Sequence, residues 1–217
     1  MKWIQMLLTG GFVLWLLIAC FILIVLICVE RFKALQKAKV NIPTFSIKIR
    51  NLLKKKEIQS AIDFCMEDKS SIANVMRRGL KKIKFGRARF LQEIDSAGRQ
   101  EISKLEKGIP VLATLATVSP MLGFLGTVMG MVSTFRVIQD LQSGVTVADF
   151  AGGIWEALIT SAVGLIVGMI ALAMHNYFVS AIKIIVLDIE RVTNDLIDVI
   201  DGGEKDSLQA EESEYEV

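Results

Sequence analysis

The sequence predicts an all-α membrane protein. Three transmembrane helices are joined by a large cytoplasmic helical loop and followed by a cytoplasmic C-terminal helix. Three observations predict this. The chain is 53% hydrophobic over 217 residues, with a mean hydropathy of +0.50, too apolar for an ordinary soluble domain. Its charge is segregated: 20 Lys/Arg face 8 Asp/Glu between Arg31 and Lys107, whereas 3 face 11 from Val179 onward. Finally, three uncharged or nearly uncharged stretches are each long enough for the roughly 20 residues a helix needs to span the hydrocarbon core.

Residues 1–7 are assigned to a periplasmic N-terminus and 8–29 to the first span. The run from Trp3 to Val29 is uncharged, longer than a signal core, and closes on Glu30-Arg31 rather than a small-residue cleavage site. Its many large side chains predict a lipid-facing outer helix. Cys20, Cys28 and Cys65 have no metal-ligand spacing with one another or with the single histidine, so no metal or cofactor is expected.

Residues 30–107 form the basic loop, placed in the cytoplasm by the positive-inside rule. Pro43 interrupts its start. Apolar positions at Ile58, Ala61, Ile62 and Cys65, then at Phe90, Ile94 and Ala97, carry helical spacing. The cationic run Arg77 to Arg89 is read as a solvated helical face and a topology signal. Nucleic acid and anionic lipid are weaker readings, because few aromatic residues accompany the charge.

The second span covers 108–136. Ser119, Gly123, Gly126, Thr127, Gly130, Ser133 and Thr134 share about 120° of its circumference at 100° per residue. Pro120 should bend it or loosen one turn. A short polar periplasmic loop, 137–152, makes spans two and three antiparallel neighbours.

The third span, 153–178, is also two-faced. Ala157, Thr160, Ser161, Gly164, Gly168, Ala171 and His175 fall on about 100° of arc, with Glu156 beside it. The pairs Gly126/Gly130 and Gly164/Gly168, together with Gly123, are expected to let helix backbones approach closely. A carboxylate inside a span costs about 2.5–3.5 kcal/mol to insert, so Glu156 should face protein or water.

Beyond it, Ile182, Ile185, Val186, Ile189, Val192, Leu196 and Val199 continue an amphipathic cytoplasmic helix over 179–201. Gly202 and Gly203 are expected to end it. The acidic tail, 202–217, is expected to be disordered.

Three stretches together resemble the MotA/TolQ/ExbB proton-channel family, in its three-span ExbB/TolQ branch. They are GGFVLWLL with the VERF exit, Gly10 to Phe32; SPMLGFLGTVMGMVSTF, Ser119 to Phe135; and GIWEALITSAVGL followed by HNYF, from Gly153. The resemblance extends to about Val199. It implies a pentamer of such subunits around a dimer of an ExbD/TolR-like single-span protein, in the bacterial inner membrane. Proton flow would then energise outer-membrane transport or envelope work, with a TonB/TolA-like protein as a further partner.

On the same resemblance, Thr127 and Glu156 match the family's threonine and carboxylate. Ser161 stands after Thr160 where threonine is usual, and Ile170 replaces a usual proline. His175 stands where tyrosine is common and is a candidate for proton handling. Thr127, Glu156, Thr160 and Ser161 are therefore the expected proton-pathway residues. Hydroxyls donate and accept hydrogen bonds but do not store a proton, whereas Glu156 is the one acid in the spans. The resemblance puts the main proton carrier on the partner's helix. An ExbB-like motor is preferred to a TolQ-like one. A purely structural scaffold is the rival from another class, sodium is the rival coupling ion, and no enzyme motif is present.

Overall fold

The structure, a computed structural model, describes residues 11–38, 40–55, 57–141 and 147–215. Among them the regular elements are all helical: α1 Gly11–Ala38, α2 Ile42–Lys54, α3 Ile58–Glu67, α4 Ser71–Leu80, a 3-10 turn Ile83–Phe85, α5 Arg87–Glu106, α6 Ile109–Leu141 and α7 Val147–Tyr215. Three helical segments are long and apolar enough to cross a membrane, within Phe12–Lys54, Arg87–Asp140 and Phe150–Ile200. The expected residues 1–7, and the first three of the first span, lie outside the described residues.

The chain divides into two compact units. One holds α1 to Arg31 together with Gly108–Phe178; the other holds Phe32–Lys107 with the chain from Val179.

The first unit has a thin core. Val13, Leu14, Leu17 and Ile24 of α1 are buried, as are Leu112 and Leu115 of α6 and Ala157, Val167 and Ala171 of α7. Large side chains such as Met121, Phe124, Leu158 and Met169 stay exposed. That is the pattern of helices whose outer faces meet lipid or other helices rather than water. Gly108 opens α6 at φ +84°, a backbone region where a Cβ would be strained.

Pro120 lies inside α6, and the helix continues through it. Neighbouring segments can compensate the hydrogen bond that the ring removes. The connection between α6 and α7 is shorter than the expected 137–152, because both helices extend into it and only 142–146 fall outside the described residues.

The second unit has a conventional core. Asn41 caps α2, its Oδ1 accepting from Thr44 N at 3.4 Å. Pro43 sits in the first turn, where its missing N–H costs nothing. Ser70 caps α4 by accepting from Ala73 N at 3.2 Å. Phe45 and Ile49 of α2, Val75 and Met76 of α4, Phe90 and Ile94 of α5, and Val192 and Leu196 of α7 are all buried. Polar bonds fix the packing. Ser46 Oγ donates to Asp195 Oδ2 at 2.6 Å, and Arg78 donates to Glu93 Oε1 at 2.9 Å and to Gln100 Oε1 at 2.5 Å.

Two expectations change here. The cationic run Arg77 to Arg89 is not one helical face. It covers the end of α4, the 3-10 turn and the start of α5, because Gly86 adopts φ +92° and breaks the helix. Nor does α7 stop at Gly202 and Gly203; it runs through both to Tyr215, so the acidic segment expected to be disordered is helical to that point. A glycine inside a helix costs about 1 kcal/mol relative to alanine. That weakens a helix already propagating without compelling it to end.

Candidate functional site: a small-residue seam and a carboxylate recess

The site grows from the small residues of α6 and α7. A Cβ built on Gly168 would stand 2.6 Å from Pro120 Cγ, and one on Gly164 2.7 Å from Gly123 Cα. A Cβ on Gly126 would meet Thr160 Oγ1 at 2.5 Å, and one on Gly130 would meet Ala157 Cβ at 2.8 Å. Gly153 closes against Thr134. The partners ascend α6 as they descend α7, so the two helices are antiparallel along one seam. The spacing admits no side chain larger than hydrogen at most of these points, which brings the backbones close.

The seam uses up hydroxyl protons. Thr160 is 2% exposed, and its Oγ1 donates to Ala157 O at 2.9 Å, with Glu156 O at 3.2 Å. Thr134 Oγ1 donates to Gly130 O at 2.9 Å. Thr127 Oγ1 donates to Phe124 O at 2.6 Å. Each hydroxyl oxygen keeps a lone pair to accept with. Ser119 Oγ is buried with no hydrogen-bond partner among the described residues.

Glu156 and Thr160 border a recess of about 210 Å³. Gly126, Met129, Gly130 and Ser133 of α6 form its second wall, and Phe12 and Val13 of α1 its third. Glu156 is half-buried, and its carboxylate has no hydrogen bond or ion pair among the described residues. The recess is large enough for several water molecules by volume. It places one ionisable oxygen pair beside two hydroxyl-bearing residues.

Thr127 and Ser161 are elsewhere. Each follows a seam residue, Gly126 and Thr160 respectively, and each helical step turns by 100°. Because the helices run in opposite directions, those two steps carry both hydroxyls to the same side of the α6–α7 pair. Met129 and Glu156 turn to the other side, where α1 supplies Phe12 and Val13. The four residues expected to share one lining thus divide between two faces. Thr127 and Ser161 lie on the face away from α1, Glu156 lies in the recess beside α1, and Thr160 is buried in the seam between them.

His175 is half-buried, with Nδ1 3.3 Å from Asn176 Oδ1, and it is not part of the recess. Ser133 was visible in the sequence as a member of the small-residue arc of α6. The α1 contribution was not visible, because nothing in a uniformly apolar helix marks which face meets a neighbour. No group of three or more potential metal ligands occurs among the described residues.

The sequence is similar to those of several known proteins. The chain is 34% identical to the Tol-Pal system protein TolQ of Pseudomonas aeruginosa over 122 residues, covering 50% of this chain and 52% of that protein. It is 27% identical over 180 residues to a putative biopolymer transport protein ExbB homolog of Methanothermobacter thermautotrophicus, covering 82% of this chain and 63% of that one. The biopolymer transport protein ExbB of Xanthomonas campestris is 32% identical over 116 residues, 52% of this chain and 46% of that protein. The matched stretches therefore span about half to just under two thirds of these relatives. A sequence profile of the MotA/TolQ/ExbB proton channel family matches residues 67–191, which include α4 to α6 and the membrane part of α7. The chain is a member of the MotA/TolQ/ExbB proton channel family.

Proposed function

We propose that this chain is the multi-span subunit of a proton-driven motor of the inner membrane, ExbB-like, with its N-terminus periplasmic and its C-terminus cytoplasmic. The observation that carries the reading is the placement of Thr127 and Ser161 on one side of the α6–α7 pair, opposite α1. Several copies of the subunit, five by family resemblance, would turn that side toward a common centre with α1 outside. A ring of such hydroxyls can orient a short water file or hold a partner's carboxylate. An ExbD/TolR-like single-span protein, as a dimer, would carry the main proton step in that centre, and a TonB/TolA-like protein would receive the work. The chain itself performs no enzymatic reaction.

Glu156 stands behind this lining, in the α1-side recess, where a carboxylate assists proton entry or sets the local field. The energy scale is adequate: one charge crossing about 100 mV gains roughly 2.3 kcal/mol. Thr127→Val and Ser161→Ala should assemble normally and lose proton-coupled work in a complementation assay. Loss of assembly would make these hydroxyls structural instead.

The rival reading, a scaffold without conduction, is favoured by one observation. The hydroxyl protons of Thr127, Thr134 and Thr160 are all committed to backbone carbonyls. Glu156→Gln separates the two: full proton flux with that variant would support the scaffold. Co-purification with a single-span protein bearing a membrane aspartate would settle the class, and that protein's periplasmic domain would separate ExbB-like from TolQ-like work.

A further inference from the structure

The connection between α4 and α5 lies outside the membrane site and carries a dense cluster of exposed cationic residues. Lys81, Lys82, Lys84 and Arg89 are exposed, and Phe85 is 70% exposed at the tip. Lys81, Lys82 and Lys84 make no ion pair among the described residues. Lys82 Nζ stands 5.4 Å from the centroid of the Phe85 ring. Beside the turn lies a recess of about 410 Å³ bordered by Lys82, Phe85 and Arg89. The acid on its wall, Glu93, is already held by Arg78 at 2.8 Å. A cationic rim, an exposed ring and a neutralised wall fit an acidic peptide with apolar side chains.

We infer that the α4–α5 turn is the docking site for the acidic segment 204–217 of the same chain. Charge complementarity is the first reason. The segment contains Glu204, Asp206, Glu211, Glu212, Glu214 and Glu216 against Lys205 alone, and its apolar residues include Leu208 and Tyr215. Reach is the second. Leu91 of α5 and Asn194 of α7 line the same groove of the second unit. Arg89 stands two residues from Leu91, about 3 Å along the helix, and Glu204 stands ten from Asn194, about 15 Å. Both steps run toward the same end of the unit, so Glu204 lies about 12 Å past the level of Arg89, and a bend of α7 at its weak helix formers Gly202 and Gly203 brings the segment onto the turn. Ion pairs at an exposed turn are individually weak and sensitive to salt. The contact is consequently a reversible one, set by ionic strength.

A zero-length carbodiimide, which joins a lysine amine to a carboxylate only in direct contact, tests this on the full chain in detergent. Cross-links from Lys81, Lys82 or Lys84 to residues 204–217 are expected by mass spectrometry. Their yield should fall at least about fivefold between 0.05 and 0.5 M NaCl, as screening shortens the range of the charges. A co-expressed pair separates same-chain from neighbour-chain docking. One member carries Lys81→Gln, Lys82→Gln and Lys84→Gln; the other carries glutamine or asparagine at the six acids. This pair should give no such cross-link. Cross-links in the pair at the wild-type yield, cross-links from the turn to other acids only, or none in the wild type would each overturn the inference.

Discussion

Replacing Gly164 by alanine should separate α6 from α7, and the size of the effect can be worked from the seam. The added Cβ would stand 2.7 Å from both Gly123 Cα and Ser119 O. Carbon atoms reach their optimal separation at about 3.5–4.0 Å, so the helices would have to part by nearly 1 Å. Both obstructing atoms are backbone, so no rotamer change relieves the overlap. Overpacking of this kind costs about 1–3 kcal/mol. A loss of about 2 kcal/mol lowers the melting temperature of a chain this size by about 4–8 °C.

Two controls share the chemistry and differ in surroundings. At Gly123 a Cβ would be 3.0 Å from Thr160 O and 3.1 Å from Ser161 Cα, so Gly123→Ala should cost less than Gly164→Ala. At Gly152 nothing lies within 4 Å, so Gly152→Ala should be neutral or stabilise by a few tenths of a kcal/mol as an interior helix substitution. Thermal unfolding followed by intrinsic tryptophan fluorescence in one detergent ranks the three. Equal melting temperatures for Gly164→Ala and Gly152→Ala would refute the seam.

Three further outcomes concern the second unit. Cys65 is buried, and burial first, with Asp68 second, pushes its thiol up to about 12 against the opposing pull of Arg77. Maleimide should therefore modify Cys65 in the folded chain on the order of a thousandfold more slowly than a free thiol at pH 8, and unfolding should abolish the difference. Arg78→Ala should destabilise the α4–α5 pair by about 0.5–1 kcal/mol in urea unfolding, because the ion pair with Glu93 is partly exposed and screened. Gly79→Ala should cost more, about 1–3 kcal/mol, since its Cβ would meet Ile94 Cγ1 at 2.5 Å. The reverse order would place the Arg78 bonds, not the close packing, at the centre of that contact.

The sequence made the helices of the membrane unit legible for a physical reason. Glycine, serine and threonine recur at the helical period on both spans, and a span can keep such residues only where another surface covers them. The soluble helices were harder to see. The α4 helix carries a Ser70 cap and apolar positions at Ile72, Val75, Met76 and Leu80, but its basic last turn merges in sequence with the cationic run that follows. Pro43 read as an interruption although it begins α2, since proline in a first turn and proline in an interior look alike until the Asn41 cap is identified. At Gly86 the sequence did not disclose the sign of φ, and that sign turns a supposed helical face into a turn between two helices.

The division of the polar residues between two faces is the part that no single-helix pattern contains. An arc of 100° on one helix is compatible with either flank being lipid, water or protein. Only the direction of the neighbouring helix decides whether Thr127 and Ser161 turn to the same side, and only the position of α1 decides which side that is. Had the spans been parallel, the same one-residue steps from Gly126 and Thr160 would have sent the two hydroxyls to opposite sides. Glu156 and the Ser161 hydroxyl are separated because Glu156 lies four residues before Thr160 and Ser161 one residue after it, about 140° apart around the helix. A subunit built this way can keep a fixed acid near α1 while its opposite face stays uncharged. A second carboxylate placed against that face would not meet the repulsion that two close like charges impose.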